Sequence, residues 1–121
     1  MGQLPSASAI MSRYGSSRDR LRWCMKPLFL RYLLENKADR VIYTDNDIYF
    51  HGDYAFLFEM LAEHSFLLTP HHYPRDPSHD QNWLEANFKV GLYNAGFVGV
   101  NKEAIAGLQW WACLLYTSRC V

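Results

Sequence analysis

The chain has 121 residues, which is enough for one modest domain with a hydrophobic core. Hydrophobic residues make up 50% of the sequence and charged residues 20%, so the composition excludes an intrinsically disordered chain. The formal net charge of +0 gives no electrostatic reason to expect a nucleic-acid partner, and no apolar run is long enough to cross a bilayer.

Residues 1–17 are rich in Ser, Gly and Ala and lack periodicity, which predicts a flexible N-terminal segment. Residues 18–36 carry apolar side chains at helical spacing. Pro27 lies inside this pattern and predicts either a helix that begins near Lys26 or a kink there. The buried face predicted for the helix consists of Leu21, Cys24, Met25, Leu28, Phe29, Tyr32 and Leu33.

The rest of the chain alternates between short apolar runs and helical patterns. Strands are predicted over 41–43, 65–69 and 92–100, with further extended backbone over 48–50. Helices are predicted over 54–64 and 102–112, a proline-rich loop over 70–82 and a helical turn over 83–87. This order predicts an α/β layered fold.

The last part of the chain, residues 113–121, is predicted to be non-native. Its sequence matches the translation of a transposon adapter used to prepare sequencing libraries, followed by the inverse of the same element. The predicted domain therefore spans 18–112, and we expect the natural protein to continue beyond it. Cys24 is then the one native cysteine, and we interpret it as a buried small apolar residue.

Two acidic residues, Asp45 and Asp47, directly follow the first predicted strand. Ligands of open α/β sheets bind beyond the carboxyl ends of the strands. Two carboxylates there offer the hard oxygen ligands that Mn²⁺ or Mg²⁺ prefers, and such a cation can stabilise a departing diphosphate. A plain polar turn explains the same residues equally well.

Glycines interrupt the third predicted strand at Gly96 and Gly99, which indicates a bulge or a close backbone approach. Asn94 lies between apolar neighbours and would need hydrogen-bond partners if buried, a donor-sugar hydroxyl being one candidate. The alternative is a bulged core strand in which Asn94 caps a turn.

Several short motifs occur in order over residues 22–112: Lys26-Pro27, Leu33-Leu34, Val-Ile-Tyr-Thr-Asp45-Asn-Asp47-Ile, Leu68-Thr-Pro-His71, Tyr93-Asn-Ala-Gly96-Phe and Trp110-Trp111. As a set they resemble a bacterial group of GT-A nucleotide-sugar transferases of the family-eight type. The resemblance implies a partial GT-A fold, which is Rossmann-like, with a mixed sheet flanked by helices and incomplete at both ends. It also implies transfer of a sugar from a nucleoside-diphosphate donor, with a UDP-sugar favoured, to a saccharide or lipid-linked acceptor.

The resemblance implies roles for individual residues as well. Asp45 and Asp47 match the motif that holds Mn²⁺ or Mg²⁺. The implied donor-binding residues are Lys26, Asn46, Asn94, Ala95 and Gly96, and the implied acceptor-side residues are His71 and His72. No residue is assigned as catalytic. The segments that hold the nucleotide base and a further metal ligand in such enzymes have no match here, so we expect this piece alone to be inactive.

Basic side chains lie near the N-terminus at Arg13, Arg18, Arg20 and Arg22. An exposed face or tail explains this cluster, and contact with a phospholipid-linked acceptor or an anionic membrane surface is the alternative. A solvated helix face likewise explains Lys26 and Arg31 at least as well as diphosphate contact. Surface positions are favoured over a lid for the histidines of the proline-rich loop, which include His79. The expected location is cytoplasmic, with peripheral contact at the inner membrane face as the alternative.

Two other functions fit part of the pattern. A phosphatase of the haloacid-dehalogenase type would use Asp45 as nucleophile, Asp47 as general acid–base and Thr69 to bind phosphate. Such motifs usually open their domain, whereas a predicted helix precedes this strand. A non-catalytic structural or carbohydrate-binding module would use the acidic segment only as a turn.

Overall fold

The computed structural model describes residues 7–72, 82, 85–86 and 89–117. Within these ranges the helices are α1 (Ala7–Tyr14), α2 (Arg18–Asn36), α3 (Ala55–Glu63) and α4 (Ile105–Thr117), the last entered through a 3-10 turn at Lys102–Ala104. The strands β1 (Arg40–Thr44), β2 (Phe66–Pro70) and β3 (Tyr93–Asn101) form one sheet. None of the described helices combines the length and the apolar character that a membrane span requires.

The sheet has β3 at its centre, with β1 on one side and β2 on the other. Both neighbours run antiparallel to β3: Thr44 pairs with Phe97, and Pro70 pairs with Tyr93. The mixed sheet that the resemblance implied is therefore wrong for the described strands. Because Pro70 and Tyr93 meet at one edge, β3 starts where β2 ends and runs back along it.

The central strand is irregular at the position that its glycines predicted. Along β2, Leu68 pairs with Val98 and the next residue, Thr69, pairs with Asn94, so residues 95–97 of β3 have no counterpart on β2. On the other side β3 stays in register with β1 as far as Phe97. The predicted bulge is confirmed, and it turns this part of β3 toward the exit of β1.

Helices cover both faces of the sheet, as the α/β prediction required. On one face, side chains of α2 and α4 pack against β3 in a cluster of Leu30, Leu34, Val98, Val100, Ala104 and Leu108. On the other face, Leu61 of α3 packs with Leu67 and Phe97. Alternate residues of β3 thus point into different clusters, as the pleat of a strand requires.

The helix α1 was not predicted, because residues 1–17 were expected to be flexible. The structure makes Ala7–Tyr14 helical, with Ile10 and Tyr14 buried against Cys24 and Leu28 of α2. The Tyr14 hydroxyl also donates to the carbonyl of Leu115 at 2.8 Å. Tertiary burial therefore stabilises a helix that would be too short to form on its own. Cys24 is buried, as predicted.

The long helix α2 continues through Pro27, which is fully buried inside it, so the helix starts well before Lys26. Its buried face agrees with the prediction at Cys24 and Leu28 and differs elsewhere: Leu30 and Leu34 lie in the core, whereas Phe29 is 48% exposed. The periodic pattern identified the helix but set the inward face of its second half about one position off, because apolar residues occur all round it.

Smaller differences concern the other elements. The extended backbone predicted over 48–50 is not part of the sheet. Helix α4 runs to Thr117, past the predicted end at residue 112 and into the segment interpreted as adapter-encoded. Of the helical turn predicted over 83–87, the structure describes Glu85 and Ala86, both helical, and the rest lies outside the described residues, as does His79.

Candidate functional site

The acidic segment forms a tight turn at the exit of β1. The backbone N–H of Asp45 donates to the carbonyl of Gly96 at 2.7 Å, which extends the pairing with β3 by one residue. The N–H of Ile48 then donates to the carbonyl of Asp45 at 3.2 Å and closes a turn with Asn46 and Asp47 at its centre. The segment is thus a turn, as one interpretation required, and it also presents two carboxylates beyond a strand end.

A buried lysine and a tyrosine hold one oxygen of the Asp45 carboxylate. Its Oδ1 accepts a hydrogen bond from the Tyr43 hydroxyl at 2.5 Å and another from Lys26 Nζ at 3.0 Å. Lys26 Nζ also donates to the carbonyl of Ala95 at 2.9 Å and lies 4.7 Å from the centre of the Tyr43 ring. Lys26 is only 8% exposed, so the solvated helix face considered for it is wrong.

These contacts shift the acid–base equilibria of the site. The hydrogen bond from Tyr43, followed by the hydrogen bond and charge of Lys26, lowers the pKa of Asp45 despite partial burial. Burial, together with the hydrogen bond to Asp45 and its negative charge, raises the pKa of Tyr43 to about 12. Asp45 is therefore ionised and Tyr43 is a hydrogen-bond donor throughout the neutral range.

The missing side chain of Gly96 leaves room beside the second oxygen of Asp45. A Cβ on Gly96 would lie 3.2 Å from Asp45 Oδ2 and 2.9 Å from Asn94 Oδ1. The same Asn94 oxygen accepts a hydrogen bond from the backbone N–H of Gly96 at 2.6 Å. Asn94 is exposed, and its hydrogen bond to the backbone of Gly96 stabilises the bulge. Asn94 therefore has the capping role considered for it and also lies next to Asp45.

A cavity of about 350 Å³ opens at this point. Both acidic side chains line it, together with the basic residues that flank them on α2. The full lining is Arg22, Trp23, Lys26, Tyr43, Thr44, Asp45, Asn46 and Asp47. The predicted metal pair and the predicted donor-binding residue Lys26 therefore share one cavity, although they come from different elements.

The chemistry of this cavity suits a hard divalent cation bound together with a phosphate group. Asp45 Oδ2 and the exposed Asp47 carboxylate are oxygen donors of the kind that Mn²⁺ and Mg²⁺ take, and such ions usually keep positions for water or phosphate oxygens. In the described part of the chain, no group of three or more His, Cys, Asp or Glu side chains converges as a complete ligand set. A cation here would need its remaining ligands from a bound phosphate, from water or from other parts of the protein.

The predicted acceptor-side histidines lie elsewhere. The backbone N–H of His71 donates to the carbonyl of Leu92 at 2.9 Å, which links the residues after β2 to those before β3. His71 is half-buried and His72 is exposed, and neither is among the residues that line the acidic cavity. Their proposed acceptor role stays a prediction. Arg31 pairs with Glu35 one turn along α2 and also lies outside the cavity.

Sequence reasoning missed Tyr43, the residue with the shortest hydrogen bond to Asp45. A signal was available, since residues two apart in a strand lie on the same face and Tyr43 precedes Asp45 by two positions. Tyr43 was interpreted only as an apolar strand residue. The phenol head of a half-buried tyrosine needs a polar partner, and the nearest acidic side chain supplies it.

A second cavity of about 410 Å³ lies on the other side of Asn94 and is mostly apolar. It is lined by Phe66, Leu68, Tyr93, Asn94, Ala95, Val98, Gly107, Trp110 and Trp111. Trp110 is 66% exposed and Trp111 is half-buried.

Comparison with known proteins gives one informative relative. The chain is 34% identical over 95 residues to the uncharacterized protein YfnF of Bacillus subtilis (strain 168). The match covers 74% of this chain and 31% of YfnF, so the chain spans less than a third of the length of that relative. No protein-family model and no solved structure matches the chain. The comparisons therefore assign no activity to the chain.

Proposed function

We propose that this chain is part of a metal-dependent glycosyltransferase of the GT-A type, which transfers a sugar from a nucleoside-diphosphate donor to an acceptor. The observation that carries the proposal is the common cavity of Asp45, Asp47 and Lys26 at the exit of β1. Two carboxylates for a cation and one ammonium for a diphosphate are the charges that this reaction requires. The order of sequence motifs that resembles such transferases supports the same function.

In this proposal Asp45 and Asp47 hold Mn²⁺ or Mg²⁺. When bound, the cation neutralises negative charge that develops on the departing diphosphate. Lys26 is the donor-binding cation: its ammonium is held between Asp45 and the carbonyl of Ala95 and borders the cavity, within reach of a phosphate oxygen. Asn46 lies in the turn between the two acids and lines the same cavity.

The bulge of β3 supplies the remaining donor contacts. Ala95, Gly96 and Asn94 lie beside Asp45, and the absent side chain of Gly96 allows a sugar to approach the backbone closely. A UDP-sugar is the favoured donor, and a saccharide or lipid-linked molecule is the proposed acceptor. The proposed sugar transfer is an activity of the whole protein. The relative YfnF is much longer than this chain.

The phosphatase interpretation agrees less well with the strand order. It requires Asp45 and Thr69 to meet one phosphate from neighbouring strands. Here β3 separates β1 from β2, and Thr69 pairs with Asn94. Two strand spacings amount to roughly 10 Å. A non-catalytic binding module is compatible with the fold, but it gives no functional reason for burying Lys26 beside the two acidic residues.

The transferase and phosphatase proposals make opposite predictions for one pair of incubations. Intact YfnF with Mn²⁺ and a UDP-sugar should release UDP, and substitutions at the YfnF positions that align with Asp45 and Asp47 should abolish the release. A phosphomonoester should give no phosphate. Mass spectrometry of this chain after the second incubation should find Asp45 unmodified. A phosphoaspartate at Asp45 would eliminate the transferase proposal.

A further inference from the structure

The contact between Tyr43 and Asp45 has no role in the function proposed so far. The Tyr43 hydroxyl donates to Asp45 Oδ1 at 2.5 Å, and Lys26 Nζ donates to the same oxygen at 3.0 Å. Among the described residues, no group donates to Asp45 Oδ2, which lies on the side of Gly96. The two oxygens of one carboxylate therefore have different surroundings.

This asymmetry limits how Asp45 can bind a cation. A carboxylate oxygen has about two lone-pair directions, and two donors already use those of Oδ1. Oδ2 keeps its lone pairs and faces Gly96, where the lack of a Cβ lets β3 approach the carboxylate closely. Asp45 can therefore bind a cation through Oδ2 alone and not through both carboxylate oxygens.

We infer that Tyr43 is a positioning residue, whose hydroxyl fixes the Asp45 carboxylate so that only Oδ2 is offered to a divalent cation. The inference rests on the proposed function and adds a residue that acts on the cation through Asp45. Since the Tyr43 ring also lies 4.7 Å from Lys26 Nζ, the two donors to Oδ1 form one packed unit. Hydrogen-bond partners of metal ligands typically contribute about 10–100-fold to metal affinity.

The test is Tyr43→Phe, which keeps the ring and removes the hydroxyl. Mn²⁺ with UDP should raise the thermal unfolding midpoint of the unmodified chain, because the ligands bind only the folded state. We expect Tyr43→Phe to lose most of this increase, and calorimetry should find Mn²⁺–UDP binding about tenfold weaker. The matched control is Tyr14→Phe, which loses the hydrogen bond to Leu115 far from the acidic cavity. It should melt at a lower temperature yet keep the ligand-induced increase.

The outcomes separate this inference from the proposed function. If neither the unmodified chain nor intact YfnF gains stability from Mn²⁺ and UDP, both fall. If only YfnF gains it, a substitution at the YfnF position that aligns with Tyr43 makes the same test. The role of Tyr43 alone is overturned by a different result. In that case Mn²⁺ and UDP stabilise the unmodified chain and Asp45→Asn abolishes this stabilisation, but Tyr43→Phe binds the ligands as tightly as the unmodified chain does. Should Tyr43→Phe not fold, NMR of the unmodified chain decides: Mg²⁺ with UDP must shift the Asp45 carboxyl signal while the Tyr43 hydroxyl stays hydrogen-bonded to Oδ1. Loss of that hydrogen bond in the Mg²⁺-bound state would overturn the inference.

Discussion

Lys26 Nζ donates a hydrogen bond to Asp45 Oδ1 at 3.0 Å, although the two residues lie 19 positions apart in the chain. The contact joins the middle of α2 to the turn after β1. The carbonyl oxygen of Ala95 accepts a hydrogen bond from the same ammonium, so Lys26 also contacts the bulge of β3. One buried charge thus fixes three elements around the cavity.

Lys26→Met keeps most of the side-chain volume and removes the ammonium. We expect the free energy of unfolding to fall by about 1–2 kcal/mol, because the carbonyl of Ala95 loses a donor and Asp45, though partly exposed, loses its cation. Mn²⁺–UDP binding should weaken about tenfold or more, since the proposed diphosphate contact is lost. Urea unfolding and calorimetry measure the two effects. The control is Lys102→Met, which removes an exposed ion pair with Asp39 and should change neither quantity appreciably. Equal effects of both substitutions would contradict the assigned role.

Gly96→Ala tests the close approach of β3 to the acidic turn. The new Cβ would lie 2.9 Å from Asn94 Oδ1 and 3.2 Å from Asp45 Oδ2, so at least one of these groups has to move. We expect a loss of about 1–3 kcal/mol in stability and a weakening of Mn²⁺–UDP binding. Thermal unfolding and calorimetry are the measurements. Gly52→Ala is the matched control, because nothing lies within 4 Å of its Cβ position. Normal binding by Gly96→Ala would show that the space beside Asp45 is not needed.

The stability contributed by Asp45 should depend on pH in a defined direction. Tyr43 and Lys26 hold the pKa of Asp45 below its usual value of 3.8, so the folded state favours the ionised form. This contribution is fully present above pH 3.8 and is lost as the pH falls through the lower, folded-state pKa. We therefore expect the difference in unfolding free energy between the unmodified chain and Asp45→Asn to be constant near neutral pH and to shrink in acid. Denaturant unfolding at a series of pH values measures it. A difference that grows as the pH falls would contradict the contacts described here.

The C-terminal end of α4 should contribute to stability even though its sequence is interpreted as adapter-encoded. Leu115 packs against the cluster formed by α1 and α2, and its carbonyl accepts from the Tyr14 hydroxyl. We expect Leu115→Ala to lower the free energy of unfolding by about 1–2 kcal/mol, less than for a fully buried leucine. Leu114→Ala is the control, since Leu114 is 40% exposed, and it should cost clearly less. Urea unfolding compares the two. Equal losses would mean that this turn of the helix does not pack as described.

Local patterns were sufficient to predict the parts of the site that follow from neighbouring residues. The apolar run before Asp45 predicted β1, and the polar residues after it predicted the turn, because strand and turn chemistry act over a few positions. Gly96 likewise predicted the bulge. The helical patterns predicted α2, α3 and α4, with most boundaries within a few residues of the observed ones.

Contacts between distant segments could not be predicted from the same patterns. Lys26 lies in an ordinary helical sequence, and only the docking of α2 against the sheet buries it. The antiparallel order depends on the path between Pro70 and Tyr93, which composition does not determine. Helix α1 forms because Ile10 and Tyr14 find partners on α2, whereas an isolated helix of eight residues is too short to be stable in water. In each case tertiary packing decided between local alternatives.

The most direct test of the central claim is calorimetric titration of this chain with Mn²⁺ and UDP, comparing Asp45→Asn and Asp47→Asn with Asp39→Asn. Asp39 precedes β1 at the opposite end from the acidic turn and pairs with the exposed Lys102, which makes it the matched acidic control. If the two carboxylates of the turn hold a cation together with the diphosphate, each of the first two substitutions weakens binding at least about tenfold and Asp39→Asn leaves it unchanged. Binding that survives both Asp45→Asn and Asp47→Asn, or that never requires Mn²⁺, would contradict the account.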